Sequence, residues 1–345
     1  MFSVVALVVF FAFSMVGTDV SFAADKPIKW RCQTHWPPSS ASFKPSAVWM
    51  ANEIEKRTNG RLIIELYNEG QLVPSKEIFT AVKRGMIDMG VSPPQYYSSQ
   101  VPLGQIAAGL PFNFRSEWEG AYFYKWMGFE DMMRESLAKH GIYYATDRVY
   151  ATQIVTKRPL RTLEDFKGIK VRTTGTLAKY LTAIGGAAVY IPGGETYSAL
   201  ASGVVDGASW GDMMGAESMG FFELCKNLLW TGVNVAGTET WLINQKALDK
   251  LPKDIQAILV ALFEEHFWKR TNEHTRDLAH FLPIYQKKYG FEAIELSDVE
   301  FSKLQDAALP IWEEVAKESP ECAKAVEMVV KFNKDLGRLK NYQSK

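Results

Sequence analysis

The stretch at residues 165–212, DFKGIKVRTTGTLAKYLTAIGGAAVYIPGGETYSALASGVVDGASWGD, decides the fold. Its pattern predicts strand, helix, strand, helix and strand, at residues 169–172, 177–184, 187–191, 195–203 and 204–210. Strands and helices that alternate in this way form a parallel sheet with helices on its faces. Ligands of such sheets bind beyond the carboxyl ends of the strands, and Arg172 and Trp210 both fall at such ends.

Part of this stretch is repeated in the first half of the chain. Four residues recur with the same spacing: Glu77, Ala81, Gly85 and Asp88, then Glu195, Ala199, Gly203 and Asp206. Each copy is predicted as a helix, a glycine stop and a buried strand, and each follows a strand and a turn with Pro74 or Pro192. The repeat is lobe-sized, so we predict two related α/β lobes rather than a solenoid. Two lobes with a cleft between them form a clamp.

The bulk composition fits such a molecule. The chain has 345 residues, of which 47% are hydrophobic and 23% are charged, which suffices for two domains with an ample core. The 39 basic residues balance the 39 acidic ones, so nothing suggests a nucleic acid as partner. The three cysteines are too sparse to predict a disulfide framework, and we expect them to be buried as small apolar residues.

The first 23 residues differ from the rest. A short apolar run at residues 4–16 precedes Ser21-Phe22-Ala23, a small-x-small cleavage signal, and this predicts a secretory signal peptide at residues 1–23. The run is shorter than the ~20 apolar residues of a membrane span. No lysine or arginine precedes the run, so an uncleaved anchor stays open as an alternative.

The remaining chain is divided between the lobes. We predict lobe I at residues 24–147 with 235–270, and lobe II at residues 148–234 with 271–345. An aromatic helix at residues 117–133 is placed in lobe I. The helical pattern at residues 253–289 would extend ~54 Å, which exceeds one lobe, so this long helix is expected to span both.

One motif suggests an enzyme. Residues 207–211 match G-x-S-x-G after a strand, the pattern of a secreted α/β-hydrolase with Ser209 as nucleophile. The histidines downstream fall in the predicted long helix rather than on a loop, and the repeat pairs Ser209 with Val91, which is no nucleophile. We therefore predict that the protein is not an enzyme and keep the hydrolase as the alternative. No HExxH, CxxC or acidic calcium loop occurs, so neither metal nor cofactor is predicted.

Arg172 is the most informative charge. It ends an apolar strand, where an arginine must find an anion or solvent, and its planar fork suits a carboxylate. A structural salt bridge is an equally good explanation from the sequence alone. Trp210 and Tyr96 fit either a ligand platform or the core.

These residues carry a resemblance to a known family. The segments LEDFKGIKVR at residues 163–172, E-x-Y-x-A-L-x3-V-V-D-G at 195–207, GRL at 60–62 and GMIDMG at 85–90 resemble the solute-binding subunits of tripartite ATP-independent periplasmic (TRAP) transporters. The resemblance implies a two-lobed periplasmic-binding-protein-like clamp that captures a small organic acid in the periplasm and delivers it to a membrane TRAP permease. It also implies that Arg172 pairs with the ligand carboxylate.

Within the family, Trp210 resembles the branch that binds 2-oxo and 2-hydroxy monocarboxylates. Some members of that branch hold the acid through a cation, with a glutamate before the tryptophan and a glutamine on an earlier strand. This chain has Ser209 and Ala151 at those positions, with Gln153 close by, so no cation is predicted. Arg148 is either a second anion contact or a rim charge. The predicted ligand-binding residues are Trp36, Tyr96, Arg148, Gln153, Arg172, Trp210 and Asp212.

The resemblance leaves some alternatives open. A ligand-sensing binding protein that docks to a receptor shares every one of these sequence features, and gene neighbourhood would separate it from a transport subunit. We expect a monomer, with a dimer as the alternative.

The signal sequence generates the first prediction. The mature protein should be recovered in the periplasm with Ala24 as its amino-terminal residue, because cleavage follows Ala23. Amino-terminal sequencing of the periplasmic fraction measures this, and an intact Met1 in the membrane fraction would show an uncleaved anchor.

Overall fold

The computed structural model describes residues 26–339 and 342, and the predicted signal peptide lies outside the described residues. This part of the chain forms two mixed sheets covered by helices. Thirteen α-helices are described: α1 Trp49–Arg57, α2 Ile78–Lys83, α3 Gly104–Ala107, α4 Glu117–Lys125, α5 Phe129–Ala138, α6 Gly175–Ala183, α7 Thr196–Ala201, α8 Met213–Ser218, α9 Phe221–Leu224, α10 Gln245–Asp249, α11 Lys253–Tyr289, α12 Asp298–Ala316 and α13 Pro320–Asp335. None of the helices described is long and apolar enough to cross a membrane.

The two sheets share one topology. The first has five strands in the order β2 Leu62–Tyr67, β1 Ile28–Thr34, β3 Met89–Ser92, β10 Thr240–Asn244 and β4 Ile142–Thr146. The second has six, in the order β7 Ala187–Val189, β6 Lys170–Arg172, β8 Gly207–Ala208, β5 Tyr150–Thr156, β9 Asn227–Gly237 and β11 Glu292–Ile294. In each sheet the first three strands are parallel, the fourth is antiparallel to the third, and the fifth is antiparallel to the fourth. The sixth strand of the second sheet, β11, is parallel to β9.

Two short links join the sheets. Residues 147–149 carry the chain from β4 in the first sheet to β5 in the second, and residues 238–239 carry it back from β9 to β10. The backbone N–H of Asp147 donates to the carbonyl oxygen of Glu239 at 2.9 Å, so the two links lie side by side. Because the chain passes directly from one sheet to the other at these links, we propose that the lobes divide there.

The four-residue repeat in the sequence corresponds to a repeat in the structure. Gly85 and Gly203 end their helices at φ values of 69° and 77°, a left-handed conformation that glycine adopts without strain. The Asp88 carboxylate then accepts a hydrogen bond from the backbone N–H of Arg31 on β1, and Asp206 accepts the same bond from Lys170 on β6, both at 2.9 Å. Each aspartate therefore links its turn to the neighbouring strand.

The long helix spans both lobes, as predicted. α11 has 37 residues, and its amino-terminal part packs Leu259 and Phe263 into the core of the first sheet. Its carboxyl-terminal part packs Leu278 into the core of the second sheet. The predicted two-lobed α/β clamp is thereby confirmed. All three cysteines are buried and unpaired.

The aromatic segment after residue 108 differs from its prediction. The helix predicted at residues 117–133 is two helices, α4 and α5, because Gly128 turns the chain at a φ of 88°. The residues before α4 bond to elements of the second half of the chain: Phe112 N–H donates to the Val233 carbonyl oxygen on β9, and the Trp312 indole of α12 donates to the Pro111 carbonyl oxygen. These tertiary bonds leave no periodic signal in the sequence.

The repeated aspartates generate a stability prediction. Replacing Asp88 or Asp206 by alanine should lower the free energy of unfolding by about 1 kcal/mol in each case, because each change leaves one strand N–H without its acceptor. Asp131→Ala, at an exposed side chain, is the control and should change stability by less than ~0.5 kcal/mol. Denaturant unfolding of the three variants measures this, and a large loss at only one of the two aspartates would contradict the repeat.

Candidate ligand-binding site

A cavity of about 630 Å³ lies between the two lobes. The first lobe contributes Trp36 and Tyr96, the second contributes Arg172 and Trp210, and the links contribute Arg148 and Glu239. Six of the seven predicted ligand-binding residues line this cavity: Trp36, Tyr96, Arg148, Arg172, Trp210 and Asp212. The carboxyl ends of β1, β3, β6 and β8 lead into it, as expected for an open α/β sheet.

Arg172 is buried at the end of β6 and held by the backbone. Its Nε donates to the Ile191 carbonyl oxygen and its Nη1 donates to the Ser209 carbonyl oxygen, both at 2.9 Å. Only 4% of the residue is exposed, and burial lowers the pKa of the guanidinium below its usual value. Nowhere in residues 26–339 or 342 does an ion pair join Arg172 to a carboxylate. The structural salt bridge considered from the sequence is therefore not found in this part of the chain.

The repeat explains how Arg172 is positioned. Because Asp88 and Asp206 bond to Arg31 and Lys170, the residue in lobe I that corresponds to Arg172 is Gln33. The Nε2 atom of Gln33 donates to the Val73 carbonyl oxygen just before Pro74, as Arg172 Nε donates to the Ile191 carbonyl oxygen just before Pro192. Arg172 therefore makes the same side-chain-to-carbonyl hydrogen bond as Gln33, and its guanidinium has additional N–H donors.

Aromatic rings surround the guanidinium. The Arg172 guanidinium carbon lies 4.9 Å from the ring centroid of Trp210, within the range of a cation–π contact. A Cβ atom at Gly193 would lie 2.3 Å from Cη2 of Trp210, so only glycine allows the indole to lie there. The His35 ring lies 5.1 Å from Trp36 and 6.3 Å from Tyr96, and the residues together form one wall of aromatic rings.

Arg148 is buried at the hinge rather than at the rim, because only 4% of it is exposed. Its Nη1 donates to the Asp147 carboxylate at 2.6 Å and its Nη2 donates to the Ser42 hydroxyl at 3.0 Å. Asp147 also accepts from the His266 imidazole at 2.7 Å. Burial alone would raise the pKa of Asp147. The His266 imidazole and the Arg148 guanidinium lower this pKa by a larger amount, so it lies below the usual range of an aspartate. The charge of Arg148 is thus already paired within the protein.

Glu239 and His35 stand beside Arg148. The Tyr150 hydroxyl donates to Glu239 Oε1 at 3.0 Å. Burial raises the pKa of Glu239 to about 7, although the charge of Arg148 acts in the opposite direction. Burial, with the charges of Arg172 and Arg148, lowers the pKa of His35 to about 3, so this imidazole is neutral at neutral pH.

Asp212 and Gln153 have structural partners. The Asp212 carboxylate caps α8 by accepting from Met214 N–H at 2.7 Å, and it lies 2.6 Å from Nε2 of His274. Gln153 is the one predicted ligand-binding residue that does not line the cavity. Its Nε2 donates to the Trp230 carbonyl oxygen and its Oε1 accepts from Met213 N–H, so both ends of the amide bind backbone.

Ser209 lacks the surroundings of a hydrolase nucleophile. Its hydroxyl donates to the Thr173 hydroxyl at 3.0 Å and lies 3.5 Å from the Arg172 carbonyl oxygen. No hydrogen bond within residues 26–339 and 342 joins Ser209 to a histidine, and the nearby His274 pairs with Asp212 instead. A serine nucleophile requires an adjacent base, so this geometry does not favour the hydrolase.

The lobes touch across the mouth of the cavity. The Gln95 amide donates to the Thr174 hydroxyl at 3.2 Å, and the Lys76 ammonium lies 3.5 Å from the ring centroid of Tyr190. These pairs join residues that belong to different sheets and are far apart in sequence. The two lobes are therefore in direct contact in this structure.

The sequence analysis missed several residues of the cavity. His35, Tyr150, Asn234 and Glu239 line it but were not predicted. His35 directly follows a strand that the sequence did predict, so its position at the carboxyl end of β1 was an available signal. Glu239 lies on a link whose geometry depends on how the two sheets meet, and no local pattern marks it. No group of three or more histidine, cysteine, aspartate or glutamate residues placed to hold a metal occurs in the described part of the chain.

Comparison with known proteins identifies the family. The sequence model of the DctP family, described as bacterial extracellular solute-binding protein, family 7, matches residues 33–319. A monocarboxylate 2-oxoacid-binding periplasmic protein of Nostoc sp. is 28% identical over 233 residues, which is 67% of this chain and 64% of that protein. The chain thus spans slightly less than two thirds of the length of this relative.

Two solved TRAP solute-binding proteins have the same fold. The protein of Chromohalobacter salexigens, with bound (S)-(+)-2-amino-1-propanol, is 25% identical with a TM-score of 0.81 over 90% of this chain and 96% of that chain. The protein of Rhodoferax ferrireducens, with bound malonate, is 25% identical with a TM-score of 0.79 over 90% of this chain and 100% of that chain. The chain therefore belongs to family 7 of the bacterial extracellular solute-binding proteins, the periplasmic solute-binding subunits of TRAP transporters.

Proposed function

We propose that this protein binds the carboxylate of a small organic acid at Arg172, closes its lobes on the acid, and delivers it to the membrane subunits of a TRAP transporter. One observation carries the proposal: Arg172 is a buried guanidinium without a carboxylate partner among the described residues. An unpaired buried charge is costly, and a ligand carboxylate would compensate it.

The hydrogen bonds of Arg172 support this role. Nε and one hydrogen of Nη1 are used by the Ile191 and Ser209 carbonyl oxygens, which fix the guanidinium plane before a ligand arrives. The remaining N–H donors of Nη1 and Nη2, which lie beside the Tyr96 hydroxyl, are available to a carboxylate, which prefers two parallel N–H donors. A fixed fork loses little side-chain entropy on binding.

The aromatic wall supports an organic ligand. Trp36, Tyr96 and Trp210 offer apolar surface to the carbon chain while Arg172 binds the charged end. The name of the Nostoc relative agrees with a monocarboxylate, and the malonate bound in the Rhodoferax structure agrees with a small acid. We further propose that the protein catalyses no reaction, since Ser209 lacks a histidine base within the described residues.

Arg172 can be tested with a variant that keeps its structural tie. Nε2 of glutamine occupies the same place along the side chain as Nε of arginine, so Arg172→Gln should still donate to Ile191, as Gln33 donates to Val73. We expect near-normal thermal unfolding but a loss of affinity greater than about a hundredfold, since the ligand carboxylate is left unpaired. Arg172→Lys keeps the charge without the fork and should lose about tenfold to a hundredfold.

Calorimetric titration beside a thermal unfolding curve measures both effects. The titrant is the carboxylate that most raises the melting temperature of the wild type in a panel of acids. Arg158→Gln, at an exposed arginine of the same lobe that donates to the Lys167 carbonyl oxygen, is the matched control and should bind normally. Normal affinity in Arg172→Gln, or a loss that only follows the unfolded fraction, would refute the role of Arg172.

The cation used by some relatives gives a separate prediction. Chelator treatment should leave the affinity for the acid unchanged, because Ser209 bonds to Thr173 and the Gln153 amide is occupied by backbone. Titration before and after chelation measures this. A large loss of affinity that calcium or sodium restores would show that a cation joins the ligand to the protein.

A further inference from the structure

Three buried polar atoms without a protein partner meet at the hinge end of the cavity. They are Nε2 of His35, Nε of Arg148 and Oε2 of Glu239. The three residues come from the end of β1 and from the two links between the sheets, and each is less than a tenth exposed. More than nine tenths of buried polar groups in proteins are hydrogen-bonded, so three unpaired atoms at one place require an explanation.

Two of the three side chains, Glu239 and Arg148, are held by hydrogen bonds through their other atoms. Glu239 Oε1 accepts from the Tyr150 hydroxyl, and Arg148 donates through Nη1 to Asp147 and through Nη2 to Ser42. The remaining approaches are too long for good hydrogen bonds: Arg148 Nη1 lies 3.5 Å from Glu239 Oε2, and His35 Nε2 lies 3.8 Å from Glu239 Oε1. Arg148 and Glu239 are therefore fixed in place while Nε and Oε2 have no hydrogen-bond partner among the described residues.

The charges around these atoms select the partner. Arg148 Nε can only donate, and above pH 7 Glu239 is mostly ionised and can only accept, so at that pH a group that binds both must accept and donate. A second carboxylate cannot donate, and it would face the negative charges of Glu239 and Asp147. An ammonium cannot accept, and it would face the positive charge of Arg148. A hydroxyl group does both without a net charge.

We propose that the hinge end of the cavity is a subsite for a hydroxyl group of the ligand, which donates to Glu239 and accepts from Arg148. This subsite deepens the proposed function and rests on it, because the carboxylate of the same ligand binds Arg172. The ligand class is a monocarboxylic acid with a hydroxyl at a distance from the carboxylate. Glu239 is the residue that determines this specificity.

The distance follows from what lies between the two ends. Arg172 contacts the Trp210 ring at 4.9 Å, the Trp210 ring lies 6.3 Å from the His35 ring, and Nε2 of His35 lies 3.8 Å from Glu239. The carboxylate subsite and the hydroxyl subsite are thus joined through an indole and an imidazole. A carbon chain along this aromatic wall can connect the two functional groups, and the chain-length series below measures how many carbons separate them.

Acids matched in chain length test the proposal. For each length from about four to six carbons, calorimetric titration compares the acid with a terminal hydroxyl, the acid with a terminal methyl and the dicarboxylate. The buffer is kept above pH 7, where Glu239 is ionised. At one length the hydroxy acid should bind at least about tenfold more tightly than both others, as expected for a hydrogen bond to a charged group.

Glu239→Gln separates this role from a structural one. The variant loses the charged acceptor, so the advantage of the hydroxy acid over the methyl acid should disappear. Because Arg148 then faces one negative charge less, the dicarboxylate should bind more tightly than it does to the wild type. A merely structural defect would weaken the binding of all three acids together. A gain in affinity for the dicarboxylate beside a loss for the hydroxy acid therefore distinguishes the two explanations.

Glu130→Gln is the matched control, since Glu130 is a buried carboxylate outside the cavity that bonds to Lys125 and Thr146. It should keep the order of the three acids even if it lowers the melting temperature. Equal affinities of the hydroxy and methyl acids in the wild type would overturn the subsite and indicate that ordered water fills it. If none of the acids binds, the proposed function itself fails rather than the subsite.

Discussion

A guanidinium fixed in a buried place without a carboxylate beside it is the interaction on which this molecule depends. Burial lowers the pKa of Arg172, and two backbone carbonyl oxygens hold its plane at the carboxyl end of β6. Hydrogen bonds to neutral carbonyls orient the charge but do not neutralise it. The protein can therefore be stable with an empty site and still gain substantially when an anion arrives, which is the property that a reversible carrier requires.

The repeat explains how such a residue is accommodated. Gln33 and Arg172 occupy equivalent strands, and both tie the strand end to the carbonyl oxygen before a proline turn. In lobe I the neutral amide completes this tie, with two further bonds from Leu72 N–H and Val73 N–H. In lobe II the longer arginine makes the same tie and adds a charge that faces the cleft. The two lobes share this arrangement of strand, proline turn and hydrogen bond. They differ at one position, where lobe I has the neutral amide of Gln33 and lobe II has the charged guanidinium of Arg172.

The hinge contributes the second set of charges. Asp147, Arg148 and Glu239 lie on the two links that join the sheets, where any change in the angle between the lobes must act. A ligand that touches Arg172 and the links at once contacts lobe II and the pivot of the clamp. Contacts across the mouth, such as Gln95 with Thr174, join the two lobes, and we propose that ligand binding is coupled to their closure.

Much of this architecture could be read from the sequence, and the reasons are local. The repeat, the long helix and the position of Arg172 depend on periodicity, glycine stops and strand ends, which a linear sequence records. Glu239 and the segment before α4 depend on which sheet lies next to which, and that is decided by tertiary packing. Gln153 was expected in the cavity because it lies close to the position where some members of the family place a glutamine, but backbone partners on β9 and α8 hold its amide elsewhere.

Native mass spectrometry of the protein as purified tests the central claim most directly. The account predicts a mature chain that carries one small organic acid, released on denaturation and containing a carboxyl group, whose mass is absent from Arg172→Gln prepared in the same way. A bound molecule without a carboxyl group, or the same acid retained at equal occupancy by Arg172→Gln, would contradict it.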